Sequence, residues 1–490
     1  MSLAGTAARG AATTMGGQWL RFVLQIGTLA VLARLLDPND YGLVAMVLAI
    51  AGVATVLGDF GLSFASVQAA QLDHVQRSTL FWLNLAIGLV LAGALEVLAP
   101  LLAGFYERPE VVDITRVVAV VFVLNAAAAQ FKAEMSRGLR FRWLAGADVL
   151  AQLLGSGAAV VVALLGGAYW ALVTQQVVVA ATTLVVVVLA SGWWPGLPRR
   201  RAGIGPLVRF GGDTLGVQLA TYVTSNIDSV LIGRFWGPLA LGAYDRAYQI
   251  FRLPMHQIAA PVTRVALPVL SRVQASPEFS RYVQRTQLAM TYGMGGASFL
   301  VAALAGPGVA LVLGPGWEST STLLRVLALG GPFQALGFVY YWVFLARGLT
   351  RVQLHCTLAT RGVMVVLMVV GVLHSAVGVA VGATVGLVLN WVVLCVVAAP
   401  RAGIDVGALV RQALRPLAVG AGLLAVTWPL TPVVDGLGSV AQLAVLLGVC
   451  AAYLALVGTV VRPVRRDLAA LRSMSTRLRR TPAPAVVPSS

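Results

Sequence analysis

The chain has 490 residues, 59% hydrophobic and only 11% charged, with a mean hydropathy of +0.86. Soluble domains carry about 25% charged residues, so this composition excludes a soluble globular protein; apolar runs of about 20 residues indicate helices that cross a bilayer. A formal charge of +17 would suit nucleic acid, but the basic residues fall in alternate loops and no aromatic-interleaved basic platform accompanies them.

The first predicted span, 16–36, carries Gln18, Arg21, Gln25 and Thr28 at i, i+3, i+7 and i+10, which is one face of a helix. Arg21 interrupts the apolar run and no small-residue cleavage pattern follows, so this run is expected to stay in the membrane. Span 41–61 ends near Asp59, an expected partner for Arg21 toward the cytoplasmic end. Spans 79–100 and 114–131 place Glu96 and Arg116 together toward the outer end, a second expected pair. Spans 144–166 and 169–190 follow.

Span 210–233 repeats the first. Gln18, Val23, Arg34, Pro38 and Gly42 recur 200 residues later as Gln218, Val223, Arg234, Pro238 and Gly242. Its polar stripe is Gln218, Thr221, Ser225 and Asp228, with Asn226 beside it. Span 244–270 holds Asp245, Gln249, Arg252, His256 and Thr263 in a narrow stripe, and Arg264 lies deep in it. Pro254 and Pro261 interrupt this helix, removing backbone hydrogen bonds. The remaining spans are 286–313, 322–345, 354–373, 375–397, 416–430 and 439–460. Arg325 and Arg361 are further intramembrane cations. Arg34, Arg234 and Arg325 are expected to snorkel to the outer interface. Cys356, Cys395 and Cys450 fall in separate spans, which gives neither a disulfide framework nor a metal site. From Arg462 the tail reads as a basic amphipathic helix with Leu468, Leu471 and Leu478 on one side, suited to anionic lipid headgroups.

Charge tests the count of fourteen. Twenty-five basic residues fall on one side, whereas the opposite loops hold only Arg108 and Arg234 against seven acids. The positive-inside rule then places both termini in the cytoplasm. Six spans separate the two repeat copies, so both run the same way through the membrane, as in transporters built from parallel repeats. The expected fold is all-α and integral to the membrane: about fourteen transmembrane helices in two pseudo-symmetric six-helix lobes plus two C-terminal helices. The expected divisions are an N-lobe, 1–190; a cytoplasmic linker, 191–209; a C-lobe, 210–397; two last spans within 398–460; and a basic tail, 461–490.

Ionisable groups in a bilayer core are costly and normally face protein or a wet cavity. Two related helices with polar stripes in one register are satisfied by facing a hydrophilic cleft; the alternative is hydrogen bonding between helices with no cavity. For Arg252 the alternative is a buried pair with Asp245 or Asp228, and for His256 a satisfied core histidine. No P-loop, G-x-S-x-G or His/Cys cluster with metal spacing occurs, so neither an enzyme nor a cofactor or metal site is indicated.

Several stretches resemble bacterial polysaccharide transporters. They are Leu32-Ala33-Arg34-Leu35-Leu36-Asp37-Pro38-Asn39-Asp40-Tyr41-Gly42, Gly58-Asp59-Phe60-Gly61-Leu62, Asn226-Ile227-Asp228-Ser229-Val230-Leu231-Ile232-Gly233, Leu267-Pro268-Val269-Leu270-Ser271-Arg272 and Gly314-Pro315-Gly316-Trp317. The similarity runs over most of residues 10–400 and is strongest to Wzx-type oligosaccharide flippases of the colanic-acid or teichuronic-acid exporter branch. Their superfamily also holds lipid II flippases and multidrug extruders. The resemblance implies alternating access that turns a polyprenyl-diphosphate-linked oligosaccharide from the inner to the outer leaflet of the bacterial plasma membrane, for surface polysaccharide biosynthesis. It implies membrane lipids, a polysaccharide polymerase and glycosyltransferases as partners, and no nucleic acid. Arg forks match phosphate oxygens. The expected substrate cavity is therefore Arg21, Gln25, Gln218, Ser225, Asn226, Gln249, Arg252, His256 and Arg264, with Asp59, Asp228 and Asp245 as ion-coupling groups or buried pairs. The alternative function is a cation-coupled small-molecule or drug antiporter of the same superfamily; the deep basic excess weighs against it.

Overall fold

The computed structural model describes residues 3–59, 72–199 and 205–480, and every regular element among them is helical. In chain order these are α1 (Leu3–Leu35), α2 (Pro38–Asp59), α3 (His74–Tyr106), α4 (Glu110–Arg137), α5 (Phe141–Leu164), α6 (Trp170–Ser191) and α7 (Gly205–Arg272). Then come α8 (Phe279–Val312), α9 (Glu318–Arg347), α10 (Thr350–Val372), α11 (Ala376–Arg401), α12 (Val406–Val434), α13 (Ser439–Val460) and α14 (Arg462–Arg480).

Eleven of these helices are long and apolar enough to cross a membrane. Among the described residues each of the fourteen predicted spans is helical over most of its length, but α1 and the two arms of α7 fall outside that set of eleven. These are the segments whose polar stripes dilute their apolar character, and many side chains of α7 lie outside the described residues. The arms of α7 meet at Gly237, whose φ of 76° and ψ of −177° are not helical. Glycine adopts a left-handed φ without a steric penalty. The chain thus turns there with Pro238 opening the second arm, where proline's missing N–H costs nothing. The second arm remains helical through Pro254 and Pro261 to Arg272.

Helix starts follow local chemistry. Asp73 and Gln76 form a reciprocal capping box at α3. Ser375 and Asp405 cap α11 and α12 through the backbone N–H groups of Gly378 and Ala408. Single π-helical turns interrupt α8 at Thr291–Gly295 and α11 at Leu394–Ala398.

The chain forms two compact units. The first comprises Met1–Asp245 and Val312–Trp317. Within it α4 lies against α2, α3, α5 and α6, and α1 packs on α5. Phe81, Phe131 and Trp193 stack edge to face with centroids 5.2–6.3 Å apart. The repeat closes on itself here. A Cβ at Gly42 would collide with the carbonyl of Pro238, and a Cβ at Gly242 with the carbonyl of Pro38. Each copy's glycine therefore admits the other copy's proline turn. Nearby, the buried indole of Trp317 donates to the carbonyl of Ala33 at 2.9 Å and meets the Tyr41 ring edge-on at 5.3 Å.

The second unit comprises Arg246–Leu311 and Glu318–Ser490. Here α9 packs on α8 and α11, α10 on α11, and α12 on α8 and α13. Gly378, Gly382 and Gly386 recur every fourth residue along α11, and each faces α10 so closely that a Cβ would strike Gly371, Leu367 or Met364. Small residues at this spacing let membrane helices approach to backbone contact, where dispersion replaces the missing hydrophobic drive. α14 lies against α8, α12 and α13.

Candidate substrate site

In the first unit the polar face of α1 meets α5. The Arg21 guanidinium lies 3.6 Å from the Asp148 carboxylate, both side chains being 47% exposed. Lys132 of α4 lies close enough to both to interact electrostatically, giving three charges with a net of plus one. Two turns further along, the Thr28 hydroxyl bonds the Leu24 carbonyl at 2.7 Å and Ser156 Oγ at 2.6 Å, and Gln152 Nε2 donates to Ser156 at 3.0 Å. Asp148, Gln152 and Ser156 recur at i, i+4 and i+8, a helical stripe legible in the sequence but not singled out there. Part of the α1 stripe is thus spent on helix–helix hydrogen bonds. Gln18 and Gln25 are exposed. Arg21 pairs with Asp148; the side chain of its expected partner, Asp59, lies outside the described residues.

On the first arm of α7, Gln218, Ser225 and Asn226 are half-buried. Asn226 Nδ2 donates to the Tyr222 carbonyl at 2.8 Å. The Tyr222 hydroxyl lies over Gly52 and donates to the Leu48 carbonyl at 3.0 Å. Asp228 is buried and accepts from the Tyr244 hydroxyl at 2.7 Å and the Ser229 backbone N–H at 2.8 Å. These bonds tie the two arms of α7 across the Gly237 turn. Asp245 is half-buried beside Tyr244 in sequence.

In the second unit Arg252 is exposed, its guanidinium 5.4 Å from the ring centroid of Tyr248 one turn earlier, in cation–π range. The half-buried Arg361 of α10 also interacts electrostatically with Tyr248. Gln249, next to Tyr248, has its amide oxygen buried without a hydrogen-bond partner. Thr263 Oγ1 accepts from the buried Trp342 indole at 3.1 Å, a structural bond. The side chains of His256 and Arg264 lie outside the described residues. The signal for Arg361 in the sequence is its isolation in an apolar span.

The peripheral charges pair. Arg116 lies 3.5 Å from Glu96, the pair expected from the sequence, and 3.6 Å from Asp113. Arg234 pairs with Glu107 at 3.0 Å and lies over Phe105. Arg77 and Glu134 join α3 to α4 at 2.7 Å.

Residues 31–322 match a single protein family, described as polysaccharide biosynthesis protein. That is more than half of the chain. The chain belongs to this polysaccharide biosynthesis family. It is 25% identical over 335 residues to the lipopolysaccharide biosynthesis protein WzxC of Escherichia coli, covering 66% of this chain and 68% of that protein. It is 28% identical over 301 residues to the teichuronic acid biosynthesis protein TuaB of Bacillus subtilis, covering 60% of this chain and 62% of TuaB. Its fold resembles that of the lipid II flippase MurJ in an inward closed conformation, with a TM-score of 0.70 over 93% of this chain and 99% of MurJ at 12% identity.

Proposed function

We propose that this polysaccharide biosynthesis family member is a flippase, which carries a polyprenyl-diphosphate-linked oligosaccharide from the inner to the outer leaflet of the bacterial plasma membrane. It acts as a membrane transporter, not an enzyme. The observation that carries this reading is Arg252 set over the Tyr248 ring, with Arg361 within electrostatic range of the same tyrosine, in a chain of this family. An oligosaccharide diphosphate needs cations that stay charged and present several N–H donors, which arginine supplies. The tyrosine ring holds Arg252 by its face, leaving the edge of the guanidinium for phosphate oxygens.

In this reading the chain crosses the membrane fourteen times with both termini in the cytoplasm, and residues 1–190 and 210–397 form two lobes around a hydrophilic cleft. The 200-residue repeat and the reciprocal Gly42 and Gly242 contacts support that symmetry. Arg21, half-exposed and joined by Lys132, receives the headgroup near the cytoplasmic end. Gln25, Gln218, Ser225, Asn226 and Gln249 offer hydrogen bonds to sugar hydroxyls. Arg252 and Arg361 hold the diphosphate during alternating access while the prenyl chain stays in lipid. A polymerase and glycosyltransferases act on the same carrier before and after this step.

Depletion of the protein tests the reading. The lipid-linked oligosaccharide should accumulate on the cytoplasmic leaflet, protected from a membrane-impermeant periodate or lectin probe added outside. Outer-leaflet glycan at undiminished levels after depletion would refute it.

A further inference from the structure

Arg325 of α9 is half-buried in a membrane helix and enters none of the ion pairs among the described residues. It lines an open groove formed by α8, α9 and α12, with Ala302, Ala303, Leu329, Leu424 and Trp428 among its other walls. One guanidinium nitrogen lies over Gly306, 3.0 Å from where a Cβ would sit. The absence of a side chain at Gly306 is what leaves room for the guanidinium. No carboxylate lines the groove. The Thr427 and Thr431 hydroxyls donate to carbonyls of their own helix, so Arg325 is the groove's charged donor.

Depth adds to this. Arg325 lies seven residues into α9, about 10 Å from the helix start by the rise per residue. Trp428, 57% exposed, marks the same level on α12, and tryptophan gathers where hydrocarbon meets headgroups. A cation at that level is costly unless it reaches water or a counter-ion. The walls below it are apolar.

We propose that this groove holds an anionic phospholipid, its phosphate on Arg325 and an acyl chain along Leu329 and Leu424. The charge argues for a net-anionic lipid over a zwitterionic one, because the groove has a cation for phosphate and no carboxylate for an ammonium group. The site is separate from the Arg252 cluster and needs no carrier lipid.

The test uses the purified full chain in phosphatidylcholine vesicles that contain either brominated phosphatidylglycerol or brominated phosphatidylcholine. The difference between wild type and Trp428→Phe isolates the Trp428 fluorescence. Half-quenching is expected at about fivefold lower mole fraction of the brominated anionic lipid, the preference conferred by one basic residue at a charged surface. Arg325→Gln should abolish the preference and Arg325→Lys should keep most of it. If Arg325→Gln does not fold, the wild-type preference should still collapse on raising salt from about 0.1 M to about 1 M, because screening shortens the reach of the charge. Equal quenching by the two lipids in wild type, a preference retained in Arg325→Gln, or one indifferent to salt would overturn the proposal. Inorganic phosphate should not relieve the quenching; relief would assign the site to free phosphate instead. No oligosaccharide is present, so failure here leaves the proposed flippase activity untouched.

Discussion

The Tyr244 hydroxyl donates a 2.7 Å hydrogen bond to Oδ2 of the buried Asp228 carboxylate, joining two arms of one long helix across Gly237. A buried carboxylate is tolerable only when donors surround it. Removing the donor leaves the desolvation cost unmet. Tyr244→Phe is therefore expected to lower stability by about 1–3 kcal/mol, read as the thermal unfolding midpoint in detergent. Asp228→Asn keeps an acceptor for Tyr244 and should cost less. The same pair separates structure from ion coupling: a structural Asp228 predicts that Asp228→Asn still exports glycan, whereas a coupling role predicts a stable protein that does not.

The Gly42–Pro238 and Gly242–Pro38 approaches are two halves of one contact. Adding a methyl group to either glycine drives a carbon into a carbonyl that cannot retreat as a flexible side chain would. Gly42→Ala and Gly242→Ala should each destabilise by about 1–3 kcal/mol, the usual cost of overpacking. Because the first substitution already forces the turns apart, the double variant should lose less than the sum. A double-mutant cycle on thermal midpoints checks this; strict additivity would mean that the two contacts are independent.

This contact shows what the sequence could reveal. The 200-residue offset identified Pro38, Gly42, Pro238 and Gly242 as special without saying that they touch each other. Helical periodicity likewise set Arg21, Gln25 and Thr28 on one face of α1. It could not name the facing helix, so Asp148 and Ser156 went unmarked as the partners of Arg21 and Thr28. Arg116 and Glu96 were legible as a pair because adjacent spans joined by a short loop must run antiparallel. Arg361 was visible as an isolated cation, but its nearness to Tyr248, more than a hundred residues earlier in the chain, is something no local pattern encodes. The polar residues that mark α1 and α7 as candidates for the site also remove them from the eleven plainly apolar helices.

Arg252 and Arg361 bear on transport directly. Arg252→Ala should reduce surface polysaccharide export about tenfold or more, the loss expected for charged hydrogen bonds worth about 1.5–3 kcal/mol each. Arg252→Lys should recover part of it, keeping charge without the fork. Membrane insertion and the unfolding midpoint should be unchanged, since Arg252 is exposed. Tyr248→Phe keeps the ring face and should export normally, and Tyr248→Leu should resemble a mild Arg252 defect. Wild-type export in Arg252→Ala would remove this arginine from the substrate path.

The C-terminal helix is held by one acid. Asp467 of α14 is buried and accepts from Arg415 of α12 at 3.1 Å and from the Tyr292 hydroxyl in the π-helical turn of α8 at 3.3 Å. Arg462, Arg465, Arg466 and Arg472 point outward from the same helix, and Val464 faces in. Asp467→Ala strands Arg415 and Tyr292 and frees an arginine-rich helix to leave the bundle. Arg415 is half-exposed, so its ion pair is discounted for solvent and the larger effect is the loss of acceptors for the tyrosine. Faster hydrogen exchange across 462–472 is expected in Asp467→Ala, with α3 and α4 unchanged. Unaltered protection of that segment would show that the apolar contacts of Val464 and Leu468 hold α14 without the acid.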